Sequence, residues 1–258
     1  MSSLFRILGI VLIMLIVGVS YSQREPESES ARAQKNAAVE SLQQEINRLR
    51  EAALADDPRP IDAPSTQPVA QGDFGEMERI MREALAEDVA IANRYLQMLE
   101  TIGWMSLLDA ERLAADVDMA QSRAILERAR VAIDTTEKEG DEYIRNREQR
   151  IQQANMSEKF REDMLRGAHK GLRRGNEARA KLWALERQMV DECERIIDLL
   201  SEREIWTLDD GEISFYNESD IDIYNESLEK IDDIVRQQQQ IQNQLLGKVN
   251  DSLESMKR

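Results

Sequence analysis

The sequence predicts an all-α protein, and three observations carry that prediction. No proline occurs in the 190 residues after Pro68, so nothing there removes backbone donors from a helix interior. Apolar residues over the same span recur at steps of three and four, the spacing of one helix face. Aromatic residues make up only 5% of the chain, thin for a sheet core. The expected architecture is an elongated helical bundle with a coiled-coil-like hairpin, an N-terminal transmembrane helix and a small β-hairpin near residues 204–216.

The chain divides, on composition, into four stretches: residues 1–24 as a membrane anchor or signal peptide, 25–55 as a helical stalk, 56–73 as a proline-rich linker and 74–258 as a helical domain. The first rests on "ILGIVLIMLIVGV", thirteen uncharged apolar residues from Ile7 to Val19, extended without charge to Gln23. Seventeen such residues approach the length needed to cross a hydrocarbon layer of about 30 Å. Arg6 and the free amino terminus precede the run, and Glu25, Glu27 and Glu29 follow it. This favours a single-pass protein with a cytoplasmic N-terminus and an extracytoplasmic bulk. Ser20 and Ser22 offer a small-x-small cleavage pattern, so a secreted or periplasmic product is the alternative.

Val39, Leu42, Ile46, Leu49 and Ala53 then form a short heptad seam. About two heptads suit an oligomerising coiled coil or docking on the chain's own body equally well. Pro58, Pro60, Pro64 and Pro68 follow and favour extended chain. Met77, Ile80, Met81, Ala84, Leu85, Val89, Ala92, Leu96 and Leu99 predict the first long helix, ended by Gly103. A short helix to about Ala115 and a longer one over 117–136 come next. Gly140 is expected to break the pattern before a weak helix over 142–154.

Asn155 or Ser157 suits the cap of the following helix, which carries Phe160, Met164, Leu165, Ala168 and Leu172 and ends at Gly175 or runs on. Leu182, Leu185, Met189, Cys193, Ile196 and Leu200 continue an amphipathic stripe. Asp210-Gly211 between strand-forming residues predicts a tight hairpin, held to the helices through Trp206, Leu208 or Phe215. A last helix over about 219–256 is expected to pair antiparallel with residues 176–202.

Charge supplies the candidate site. The formal net charge is −16, which argues against nucleic acid as a partner over the main surface. Yet "RGAHKGLRRG", Arg166 to Gly175, is basic, and residues 159–181 hold eight basic and three acidic side chains. Residues 186–233 hold seventeen acidic and four basic ones. Arg166, Lys170, Arg173, Arg174 and Arg179 therefore form a patch for an anionic partner or for internal pairing. Gly167, Gly171 and Gly175 lie on one helix face and suit close packing. Each interior glycine costs about 1 kcal/mol relative to alanine, so three require a compensating contact.

No motif points to catalysis, metal or cofactor. His169 is the only histidine, and Cys193, the only cysteine, sits among apolar residues as a buried thiol. "DDGE" and "DID" lack the ordered loop of a calcium-binding hand. Trp104, Trp183 and Trp206 read as packing residues. The expected role is a membrane-anchored extracytoplasmic interaction or scaffold protein of the cell envelope. Its partners would be the bilayer, through residues 7–23, and an envelope protein or a second copy. Two alternatives stand beside it. One is a ligand-responsive sensor or regulatory module, which requires a discrete pocket between helices. The other is an exported helical domain after signal cleavage.

Overall fold

A computed structural model describes residues 28–53 and 59–257, without the side chain of Arg174. Six helices are present there: α1 (Glu29–Ala53), α2 (Gly72–Ile102), α3 (Ala110–Ala115), α4 (Ala120–Gln152), α5 (Glu158–Ser201) and α6 (Glu218–Lys257). A single 3-10 turn, Trp104–Ser106, precedes α3, and strands β1 (Trp206–Asp209) and β2 (Glu212–Phe215) lie between α5 and α6. The result is an all-α bundle with one small two-stranded antiparallel sheet.

Four long helices run back and forth: α2 packs on α4, α4 on α5 and α5 on α6. The fourth side, between α2 and α6, is closed by α1, which packs on both. Val39, Leu42, Ile46 and Leu49 are fully buried there, each contributing about 2 kcal/mol. The heptad seam is thus used inside the molecule, and the expectation of a coiled-coil stalk is corrected.

The membrane expectations are corrected too. Among the described residues no helix is long and apolar enough to cross a membrane, because every helix interleaves its apolar stripe with charged residues. Residues 1–24, and with them the span assigned to residues 7–23, lie outside the described residues. The transmembrane helix, the single-pass topology, the bilayer contact and the cell-envelope scaffold all rested on that segment. The envelope-protein partner rested on it as well, and the homo-oligomer rested on the seam that α1 buries inside the molecule. They are set aside together.

Two apolar cores stack along the bundle. One gathers α1, the first half of α2, the start of α5 and the end of α6, with Phe74 and Phe160 packed edge to face at 5.1 Å. The other gathers the end of α2, α3, the start of α4, the end of α5 and the start of α6, around Trp104, Trp183 and Trp206. The proline-rich stretch belongs to the first core through Ile61 and Ala70. Its backbone is clamped at two points. Asn93 accepts from Ile61 N–H and donates to Ile61 C=O, both at 2.8 Å. Glu78 accepts from Val69 and Ala70 N–H, both at 2.9 Å.

Two glycine expectations resolve differently. Gly103, at φ 82°, ends α2 in the left-handed conformation that a Cβ disfavours. Gly140 does not break its helix: α4 runs through it, with Thr136, Gly140, Tyr143 and Arg147 buried along one face. Side-chain packing on that face offsets the propensity cost. Likewise α5 runs unbroken past Gly175 and Asn176 for 44 residues. Ser157 occupies the N-cap of α5, but its hydroxyl donates to Asp73 instead of capping, and its N–H reaches the same carboxylate at 2.8 Å.

Candidate functional site

The hairpin end of the bundle holds an apolar concavity. Asp210 (φ 47°) and Gly211 (φ 81°) are both left-handed, the two-residue turn that matches strand twist, and Trp206 faces Phe215 across the ladder. Trp206 is buried and its indole N–H donates to Leu200 C=O at 2.8 Å, closing the end of α5. Arg203 stacks 4.9 Å over the Trp206 ring. Its guanidinium donates to the carbonyls of Leu113 (3.0 Å), Val117 (3.1 Å) and Asp116, satisfying the C-terminal end of α3.

The α3 region is fixed just as firmly. Asp109 caps α3 by accepting from Arg112 N–H at 2.8 Å. Arg112 donates to the carbonyls of Ser106 (2.8 Å) and Leu107. Asp116 accepts from Ser122 N–H and Oγ, both at 2.7 Å, and so starts α4. Burial pushes the Asp116 carboxyl up, but those bonds, with help from Gln121 and Arg112, outweigh it and hold its pKa below the usual range.

Between these two braced pieces lies a cavity of about 420 Å³. Trp104, Met105, Leu107 and Leu108 form one wall and Ile213 of β2 another. Tyr224 and Leu228 of α6 form a third, and Cys193 of α5 contributes from the core side. Tyr224 is propped against Phe215, ring centroids 5.3 Å apart. The cavity has a structural origin. Lower in the bundle, α1 fills the space between α2 and α6. Among the described residues no corresponding helix fills it at the hairpin end, where α3 and the hairpin only partly close it.

Asp109 and Glu212 are the charged residues of the lining, and both are exposed, at its mouth. Burial pushes the Cys193 thiol up to about 12, with Glu192 adding to the effect, so the sulfur is protonated and unreactive. The wall therefore offers shape, apolar surface and two aromatic rings, with two carboxylates as its charged groups. Among the described residues no group of three or more histidine, cysteine or acidic side chains is placed to hold a metal ion.

The basic patch predicted from sequence lies elsewhere, midway along α5. Arg166, His169, Lys170 and Arg173 line one open hollow. Arg166 pairs with Asp163, and His169 Nε2 lies 3.3 Å from Glu148. Arg179 is turned away, 14% exposed and 2.8 Å from Asp141 on α4. Lys170 and Arg173 are exposed and have no ion-pair partner among the described residues. The side chain of Arg174 lies outside the described residues. Gly167, Gly171 and Gly175 are all buried, on a face that continues through Ala178 and Leu182 against Ile241 and Leu245 of α6. The hollow is lined by basic side chains, and exposed charges of this kind are screened within about 10 Å at 0.1 M salt.

Two buried acids escaped the sequence reading. Glu186 of α5 accepts from Tyr95 Oη at 3.1 Å and from Gln238 Nε2 at 2.8 Å, joining α2, α5 and α6. Burial pushes its carboxyl up to about 7. Asp88 of α2 lies 3.0 Å from Arg147 of α4, both buried; burial raises Asp88 to about 7 against the pull of the guanidinium.

No protein-family model matches the chain, and neither a curated protein nor a solved structure matches it at a significant level.

Proposed function

We propose that the protein is a ligand-responsive helical module that takes a small apolar molecule into the cavity beneath the hairpin. The observation that carries the reading is the cavity itself: about 420 Å³, walled by apolar and aromatic side chains, within the 300–1,000 Å³ range of small-molecule sites. A ligand there touches the hairpin, α6 and the α2–α3 connection at once. Its binding energy would favour whichever arrangement of those elements best encloses it. The hairpin depends most on such contacts, since a two-stranded sheet has little stability of its own. This reading assigns no reaction to the protein.

Titration with octan-1-ol tests it. The alcohol should quench or shift tryptophan emission through Trp104. At ten times its Kd it should stabilise the fold by about 1.4 kcal/mol. Hydrogen exchange at the hairpin amides should slow in parallel. Leu228→Trp, which fills the cavity, should abolish all three responses while the variant stays folded by circular dichroism. Absence of binding to the unmodified protein would refute the proposal.

A further inference from the structure

The charged groups of the cavity are of one sign, and this has a consequence for what enters. Asp109 and Glu212 both line it, and no lysine, arginine or histidine does so. The backbone of Glu212 pairs with Asp209 in the ladder, and its carboxylate has no hydrogen-bond or ion-pair partner among the described residues. Asp109 uses one oxygen to cap α3 through the Arg112 amide. The surroundings reinforce the sign. Residues 209–233, from the hairpin turn into α6, hold ten acidic side chains and one basic, Lys230, itself paired with Glu226 at 2.6 Å. Arg203 and Arg112 donate to backbone carbonyls of the α3 region; Arg112 also attracts Asp116 and Asp109, which leaves Glu212 as the carboxylate of the lining that no cation among the described residues offsets.

An apolar anion entering here approaches a mouth that repels it and finds no donor of opposite charge inside. A neutral molecule gains only from burial. A cation gains from burial and from the carboxylates, whose attraction is strengthened where water is partly excluded. Trp104 and Tyr224 also bring two aromatic rings to the lining. Such rings attract ammonium groups through their quadrupoles.

We infer that the cavity selects apolar organic cations: molecules with an alkyl or aryl body seated against Leu107, Leu108 and Leu228 and an ammonium group at the Asp109–Glu212 mouth. This inference rests on the proposed ligand-binding role and specifies its chemical class. It excludes fatty acids and other apolar carboxylates as the preferred ligands of the same space.

A matched series of probes separates the class from the role. Octyltrimethylammonium, octan-1-ol and octanoate share one alkyl body and differ in head-group charge. Each is titrated into the full chain below its micellar concentration, at low and at high salt, by calorimetry. The ammonium should bind about tenfold more tightly than the alcohol at low salt, the octanoate more weakly than either, and the spread should narrow as salt rises. Glu212→Gln should bring the affinity for the ammonium toward that for the alcohol measured on the same variant. Equal or weaker binding of the ammonium, with the alcohol bound, would overturn the inference and leave the ligand-binding role standing. Retention of the full preference in the Glu212→Gln, Asp109→Asn double variant would also overturn it. Failure of all three probes to bind would overturn the role itself.

Discussion

Replacing Glu186 with glutamine should make the protein more stable at alkaline pH and flatten its pH dependence. Glu186 is 2% exposed, and the contacts to its carboxyl come from the neutral Tyr95 and Gln238 side chains. Burial holds its pKa at about 7 in the folded protein, against an ordinary value of 4.5. Below pH 4.5 both folded and unfolded chains carry the proton, and the acid makes no difference to the balance. Between 4.5 and 7 the unfolded chain releases the proton and the folded chain keeps it, so stability falls by about 1.4 kcal/mol per pH unit. Above pH 7 the loss is complete and amounts to about 3 kcal/mol. Glutamine removes the titration. It keeps the side-chain size and can still hydrogen-bond both neighbours once the Gln238 amide and the Tyr95 hydroxyl reorient. Urea denaturation at pH 5 and pH 8, followed by far-UV circular dichroism, measures the difference. Asp88 titrates over the same window but is common to both proteins, so it cancels. The stability gap between variant and parent should shift by about 2.5 kcal/mol in the variant's favour from pH 5 to pH 8, since part of the loss is already present at pH 5. Parallel pH profiles for the two proteins would refute the reasoning.

Two further predictions concern packing and reactivity. Gly75→Ala should destabilise the protein by about 2 kcal/mol, because the added Cβ would lie 2.9 Å from the Ala70 carbonyl carbon and closer still to its oxygen. Glu78 holds that stretch of backbone in place, and unchanged urea stability would show that it yields. The native Cys193 thiol should react with an aromatic disulfide about a thousandfold more slowly at pH 8 than in the urea-unfolded chain, since burial raises its pKa from 9 to about 12. Comparable rates in the two states would count against the buried assignment.

Much of the fold was written in local signals. The stripe from Met77 to Leu99, the left-handed stop at Gly103 and the Asp210-Gly211 turn each depend on residues near one another in the chain. Tertiary structure decided the cases that went differently. Gly140 is tolerated because its face of α4 is buried, which a propensity scale does not register. The seam of α1 fits a partner chain and an internal groove equally well, and only the space between α2 and α6 selects the groove. The cavity is a gap between distant segments, so its walls were visible as packing residues and its emptiness was not. Glu186 left a trace that was readable. It sits at helical spacing within the stripe of Leu182, Met189 and Cys193, and Gln238 occupies an equivalent place between Val235 and Ile241. Two polar residues in register with apolar stripes of adjacent helices signal a buried pair.

The four long helices each contribute to both apolar cores, and α5 does so without a break from Phe160 to Leu200. The molecule consequently lacks a seam along which one half could come apart and leave the other standing. Losing either end strips apolar partners from rods that the opposite end also needs. Whatever settles beneath the hairpin therefore bears on the cohesion of the whole bundle, including the far tip where α1 is wedged.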